Sequence, residues 1–188
     1  TSGVFLCPLP FTIRAPATPA TLLMPKHMLR PPGQYPRASL ARRLAACFYD
    51  FLLSVALMMV ITLVYQQAVL RLVYGSEQLL AMSQAGALDR DPLLASLVLL
   101  GLFAFYAKFW THNGQTLGMQ AWGLRIQNTD GTAIDLWQAL LRFIVAIGSW
   151  LFAGLGFLWM LWDKQGRTWH DAYSESIVVQ LPKDAHKK

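Results

Sequence analysis

Three long apolar stretches limit the folds that are open to this chain: residues 44–65, 92–110 and 143–162. An α-helix rises about 1.5 Å per residue, so about 20 apolar residues cross a hydrocarbon core about 30 Å thick. The whole chain is 55% hydrophobic and 14% charged, whereas soluble domains are about 25% charged. The pattern therefore predicts an all-α transmembrane protein with about three membrane-spanning helices.

The third apolar stretch leaves two alternatives open. Gly154 and Gly156 lie near its middle and weaken a continuous helix, whereas its length is that of one span. It is therefore either a single span or a broken, re-entrant pair of half-helices. Arg142 lies at its start and Asp163 at its end.

The connecting segments carry weaker signals. Residues 66–91 are mixed and polar and are expected to form a loop that is helical in part. Leu124–Gln127 alternates like a strand, residues 129–131 resemble a turn, and residues 133–134 are expected to return as the second strand of a small β-like hairpin. Residues 135–138 then resemble a capping box that opens the third apolar helix. A separate short strand is indicated at residues 177–179.

The N-terminal segment has a different composition. Residues 1–36 hold eight of the ten prolines, which disfavours helix and predicts a disordered segment. The chain begins with Thr1, and Met24 and Met28 are alternative natural starts, which would make the preceding residues non-native. The membrane domain is predicted over residues 37–181, followed by a basic tail at 182–188.

Charge predicts the orientation. Residues 1–43 contain six basic and no acidic residues, and basic segments flanking a first span are retained in the cytoplasm. We therefore expect an inner-membrane protein with a cytoplasmic N-terminus, with the β-like hairpin also on the cytoplasmic side. Its expected partner is the lipid bilayer, because no nucleic-acid-binding fold accompanies the basic segment.

Asp50 is the one charged residue within the first apolar stretch. A carboxylate at the centre of a bilayer costs about 2.5–3.5 kcal/mol on insertion scales. We therefore expect Asp50 to face the bundle interior with a partner, for which Arg142 is better placed than Arg43, whose side chain leans towards the headgroups. The alternative is a shallow carboxylate in contact with water at the interface.

The densest polar stretch after the first span runs from Asp163 to Asp171. Its structural interpretation is that Asp163 ends a helix and that Thr168 and Asp171 form a capping box. Its functional interpretation is that Asp171 reaches the same charged site as Asp50. Sequence signatures of phosphate-binding loops, zinc proteases, serine hydrolases and paired-cysteine sites are absent, so we expect no enzyme, cofactor or metal.

Three ordered motifs resemble the bacterial RDD family. They are Arg42-Arg43-Leu-Ala-Ala before Asp50, Gly114-Gln115-Thr116-Leu117-Gly118 with Gly123-Leu124-Arg125-Ile126, and Gly166-Arg167-Thr168-Trp169-His170-Asp171. The resemblance covers roughly residues 37–181 and implies Arg43, Asp50 and Asp171 as signature residues. Met119 and Gln120 depart from the basic residue that the family often shows there. The resemblance implies a membrane fold and a bacterial inner-membrane location, but no reaction.

Two functions follow from these observations. The first is a transport-related protein that uses Asp50 as a cation or proton site; because three spans are few for a pathway, it implies a homo-oligomer. The second is a non-catalytic assembly or partner subunit, whose charged cluster docks another membrane protein. If Arg43, Asp50 and Asp171 share a site, the third apolar stretch must return to the cytoplasmic side.

Overall fold

Helix α1 (Leu40–Val64) is the first span, and its buried residues lie on one face. Its buried positions are Arg43, Ala46, Asp50 and Ser54, at the three- and four-residue spacing of one helical face. The remaining surface is apolar and exposed, as for Phe48 and Met59, and is suited to lipid. The structure is a computed structural model, and it describes residues 27–86, 88, 91–152 and 154–182.

The polypeptide continues as helix beyond α1, where a loop was predicted. A π-helical segment (Tyr65–Leu70) leads into α2 (Arg71–Gln84), which contains no buried residue. Gly75 interrupts α2 with a φ of 79°. The segment 66–91, expected to be a loop that is helical in part, is therefore helical over most of its length, because helical backbone hydrogen bonding persists through it.

Helix α3 (Pro92–His112) is the second span. Asp91 caps it by accepting from the backbone N–H groups of Leu93 and Leu94, and Pro92 fits the first turn because its missing N–H would have no partner there. At the opposite end a short helix α4 (Leu117–Ala121) follows, capped by Thr116.

The third apolar stretch is bent. Helix α5 (Leu136–Leu151) begins at the predicted capping box of Asp135 and Gln138, and a bend of 107° separates it from α6 (Leu155–Leu158) and a 3-10 turn (Trp159–Leu161). Among the described residues, two helices are long and apolar enough to cross a membrane, and three if the bent pair is one span.

The bent pair returns to the end of the bundle where α5 begins. Helix α7 (Trp169–Tyr173) packs on α5, and the Gln138 side chain donates to the carbonyl of Ser174 over 2.9 Å. This contact lies in the first turn of α5. The structure thus has the broken, re-entrant form of the two alternatives.

The small β element is present, but its strands come from distant segments. Strand β1 (Leu124–Gln127) pairs antiparallel with β2 (Ile177–Gln180), with Ile126 opposite Val178. The expected return strand at residues 133–134 pairs elsewhere, because Asn128 closes a tight turn to Thr132 and the backbone N–H of Ala133 donates to His27. The all-α transmembrane fold with a small sheet is confirmed, and the hairpin connection is corrected.

Residues 27–36 belong to the segment that was predicted to be disordered, yet they are packed on the domain. Leu29 is buried, and Arg125 donates to the carbonyl of Pro31 over 3.0 Å and lies over the ring of Tyr35. Backbone hydrogen bonds to residues 131–133 replace the helix or sheet that the prolines prevent. Residues 1–26 and the basic residues 183–188 lie outside the described part of the chain.

Candidate functional site

A buried cluster of two arginines and one aspartate joins α1, α5 and α7. Arg43 Nη1 donates to Asp171 Oδ2 over 2.5 Å, and Arg142 Nη2 lies 2.8 Å from Asp171 Oδ1. The three residues are 6%, 6% and 2% exposed. One buried carboxylate therefore faces two buried guanidinium groups, and the cluster has a net positive charge.

Both arginines also donate to groups other than Asp171. Arg43 Nε donates to the carbonyl of Ala38 over 3.2 Å, and its Nη2 donates to that of Val178 over 3.3 Å. Arg142 Nη1 donates to Ser176 Oγ over 2.7 Å. Arg43 thus ties the start of α1 to strand β2 as well as to α7, which explains why an arginine fork rather than a lysine suits this position.

Asp171 takes part in both a capping box and the charged cluster. It is the third residue of the predicted capping box, in which Thr168 Oγ1 accepts from the Asp171 backbone N–H over 3.3 Å. Burial favours the neutral form of Asp171, but the charges of Arg142 and Arg43 outweigh burial and lower the pKa of the carboxyl. Asp171 is therefore an ionised structural centre.

His170 adjoins the cluster and is held neutral. Burial, followed by the positive charges of Arg142 and Arg43, lowers its pKa to about 4. Its ring lies 4.6 Å from that of Phe157, and its Nε2 atom has no hydrogen-bond partner within the described residues. The sequence offered no signal for this residue beyond its place in the last motif.

Asp50 binds a different element from the one expected. Its carboxylate accepts from Thr116 Oγ1 and, over 2.9 Å, from the backbone N–H of Gly118, so it holds the N-terminal turn of α4. No lysine or arginine forms an ion pair with it in the described part of the chain. Gly118 is needed for this approach, because a Cβ there would come within 2.8 Å of Asp50 Oδ1.

The expected partner of Asp50 was therefore wrong. Arg142 pairs with Asp171, because the return of α7 along α5 brings that carboxylate to it. Asp163 does not join the cluster: it lies at the surface and pairs with Arg167 over 3.3 Å. Asp50 is 5% exposed and lines the cavity described below, so it is not a surface carboxylate.

A cavity of about 440 Å³ connects the cluster with Asp50. Arg43, Asp50, Arg142 and His170 contribute its charged or polar lining, and residues such as Phe143 and Trp150 contribute apolar walls. Two further polar residues, Ser54 and Tyr106, share a 2.7 Å hydrogen bond beside it, and Ser54 lies one turn beyond Asp50. Within the described residues, no group of three or more His, Cys, Asp or Glu side chains is arranged to hold a metal.

The bent apolar bundle and its buried arginine–aspartate cluster define a multi-pass, membrane-type protein. The chain belongs to the RDD family, whose family model matches residues 37–175. The resemblance seen in the three sequence motifs is thereby confirmed. Comparisons with curated proteins and with solved structures gave no match.

Proposed function

We propose that this chain is a transport-related protein of the bacterial inner membrane, in which Asp50 binds a proton or a small cation. The observation that carries the proposal is the contrast between the two buried aspartates. Asp171 has two arginines to neutralise it, whereas Asp50 has hydrogen-bond donors but no ion-pair partner among the described residues. An ionised carboxylate without a cation is expensive in a low-dielectric interior. A proton or bound cation removes that cost.

Access to Asp50 is from one end of the bundle. The cavity reaches Asp50 beside the Arg43 cluster. Beyond Ser54 the rest of α1 has no buried residue up to Val64. A polar path across the membrane therefore requires surfaces from a second copy, which supports a homo-oligomer as part of this proposal.

The proposed orientation places the cavity on the cytoplasmic side. Basic residues precede α1, and the positive-inside rule keeps such a segment in the cytoplasm. The Arg43–Asp171 contact brings α7 and the sheet to the same end. No step of this function requires catalysis.

Proton flux in reconstituted vesicles tests the proposal. Vesicles with a lumenal pH dye receive a pulse of Na⁺ or K⁺, and the wild-type protein is expected to give cation-dependent proton movement. Asp50→Asn should abolish this movement, while the surface control Asp163→Asn should retain it. Gel filtration in detergent verifies that both variants fold. Absence of flux in the folded wild type, or full flux in folded Asp50→Asn, would overturn the proposal.

A second candidate is a non-catalytic assembly subunit. The Arg43–Asp171–Arg142 cluster favours it, because its members form ion pairs with one another. Every one of these side chains is engaged within the chain, as in an element that fixes helix arrangement. Under this alternative, Asp50→Asn changes the size of the complex on native gels, and wild-type vesicles show no flux.

A further inference from the structure

The cavity beside the arginine cluster continues into an apolar groove. The groove has a volume of about 480 Å³ and lies between α1 and the bend after α5. Leu44, Phe48 and Leu158 line it, and it shares Cys47, Trp150 and Phe157 with the charged cavity. The two spaces therefore meet at common residues, one space with a polar lining and the other apolar.

The groove opens on the surface that faces lipid. Phe48 is 60% exposed and Trp150 is 59% exposed, on helices suited to the hydrocarbon core. A molecule could thus enter sideways from the bilayer, with its apolar part remaining in contact with lipid. This arrangement matches an amphiphile and does not match a fully hydrated solute.

The polar end is rich in donors, and its arginine–aspartate cluster has a net positive charge. Arg43 and Arg142 are balanced by the single carboxylate of Asp171, and both Asp50 oxygens already accept hydrogen bonds within the chain. Trp110 Nε1 and His170 Nε2, which belong to residues of the cavity wall, have no hydrogen-bond partner among the described residues. Buried polar groups are nearly always paired in native proteins, and the indole N–H of Trp110 can only donate, so an acceptor bound in the cavity would complete it.

We infer that the cavity and groove together bind a single-chain amphiphile with a carboxylate or phosphate head, its head beside Arg43, Arg142 and Trp110 and its chain in the groove. The ligand class follows from charge complementarity at one end and apolar lining at the other. The inference goes beyond the proposed function, because binding of this amphiphile requires no movement of a proton or cation through Asp50.

Binding can be measured in nanodiscs of neutral phosphatidylcholine by native mass spectrometry. Three probes of equal chain length are compared: a fatty acid, a lysophosphatidic acid and the corresponding uncharged alcohol. We expect one bound acid per chain and at least tenfold weaker binding of the alcohol, since a charge-assisted hydrogen bond contributes about 1.5–3 kcal/mol. The tighter of the two acids identifies the head group.

Two variants test where the head and the chain of the ligand bind. Trp110→Phe keeps an aromatic side chain but removes the indole N–H. It is expected to weaken binding of the acid several-fold. Ala146→Phe fills the apolar part of the cavity without removing a polar group and should weaken acid and alcohol alike. Trp162→Phe, at a tryptophan that is 73% exposed, is the control and should leave binding unchanged.

Each outcome decides the inference. Equal affinity for alcohol and acids, no binding of either acid, or unchanged acid binding in folded Ala146→Phe would overturn it. Loss of flux in Asp50→Asn with normal acid binding supports both proposals, and acid binding without any wild-type flux supports this one alone. Detergent gel filtration verifies the fold of each variant.

Discussion

Arg43 Nη1 donates to Asp171 Oδ2 over 2.5 Å, which joins the first turn of α1 to a residue 128 positions later in the chain. The contact is buried and has Arg142 on its other side. It holds α1, near the start of the described domain, against α7, near its end, at one side of the bundle.

Removing one member of the cluster should destabilise the protein strongly. Asp171→Asn leaves two buried guanidinium groups without a counter-charge, for which the expected loss is about 3–5 kcal/mol in the free energy of unfolding. SDS-induced unfolding in mixed micelles measures this loss. Arg42→Ala, at the partly exposed neighbouring arginine, is the control and should change stability by less than about 1 kcal/mol. Equal stability of the two variants would contradict the structural role of the cluster.

Stability should fall in mild acid because of His170. Its pKa is about 4 in the folded protein, against an ordinary value of about 6.5. Between these values the unfolded chain binds a proton that the folded chain does not, so the free energy of unfolding decreases as pH falls from about 6.5 to about 4, by up to about 3 kcal/mol. Unfolding measured at pH 7 and pH 5 should show this decrease. His170→Gln should show a clearly smaller one, and an unchanged decrease would assign it to other groups.

A matched pair of glycine variants tests the contact between α1 and α4. Gly118→Ala places a methyl group 2.8 Å from Asp50 Oδ1 and against the carbonyl of Ala46, so a loss of about 1–3 kcal/mol is expected. Gly148→Ala meets no atom within 4 Å and lies within α5, so it should leave stability unchanged or raise it by up to about 1 kcal/mol. Thermal unfolding of the two variants in the same detergent makes the comparison. Similar losses in both would argue against the close approach at Gly118.

The re-entrant form of the third apolar stretch predicts which positions share a side of the membrane. In a variant lacking Cys7 and Cys47, single cysteines are introduced at the exposed positions Gln34, Ser76 and Gln165. An impermeant maleimide added to intact cells should label Ser76→Cys and spare Gln34→Cys and Gln165→Cys. Labelling after cell lysis is the control for reactivity. Opposite behaviour of positions 34 and 165 would show that the third stretch crosses the membrane.

The spans could be predicted from sequence because hydropathy depends on composition over a local window. The first two stretches, predicted at 44–65 and 92–110, correspond to Leu40–Val64 and Pro92–His112. The capping boxes at Asp135 and Thr168 could also be predicted, since the two residues of each box lie three positions apart in the sequence. The extent of the helix after residue 65 was not predicted, because the segment has a mixed composition and buries no residue of α2 that would mark a packed face.

The pairing of charges could not be predicted, because it depends on how distant segments return. Spacing along α1 places Arg43 and Asp50 on one face, but it contains no information on which loop or helix covers that face. The break at Gly154, with a φ of 78°, turns the chain back and delivers Asp171 to Arg142. Asp50 instead accepts hydrogen bonds from Thr116 and Gly118. Both residues belong to the second sequence motif, but the motif gave no indication of this contact.

The distance in sequence between Arg43 and Asp171 also governs how the protein is made. Ribosomes add about 5–20 residues per second, so the guanidinium of Arg43 reaches the membrane roughly 6–25 s before its counter-charge has been synthesised. During that interval, headgroup phosphates or water must solvate it. The docking of α7 is therefore a late step of biogenesis, followed only by the pairing of β2 among the described elements, and a nascent chain that stops before Asp171 leaves the first helix without the partner that fixes it in place.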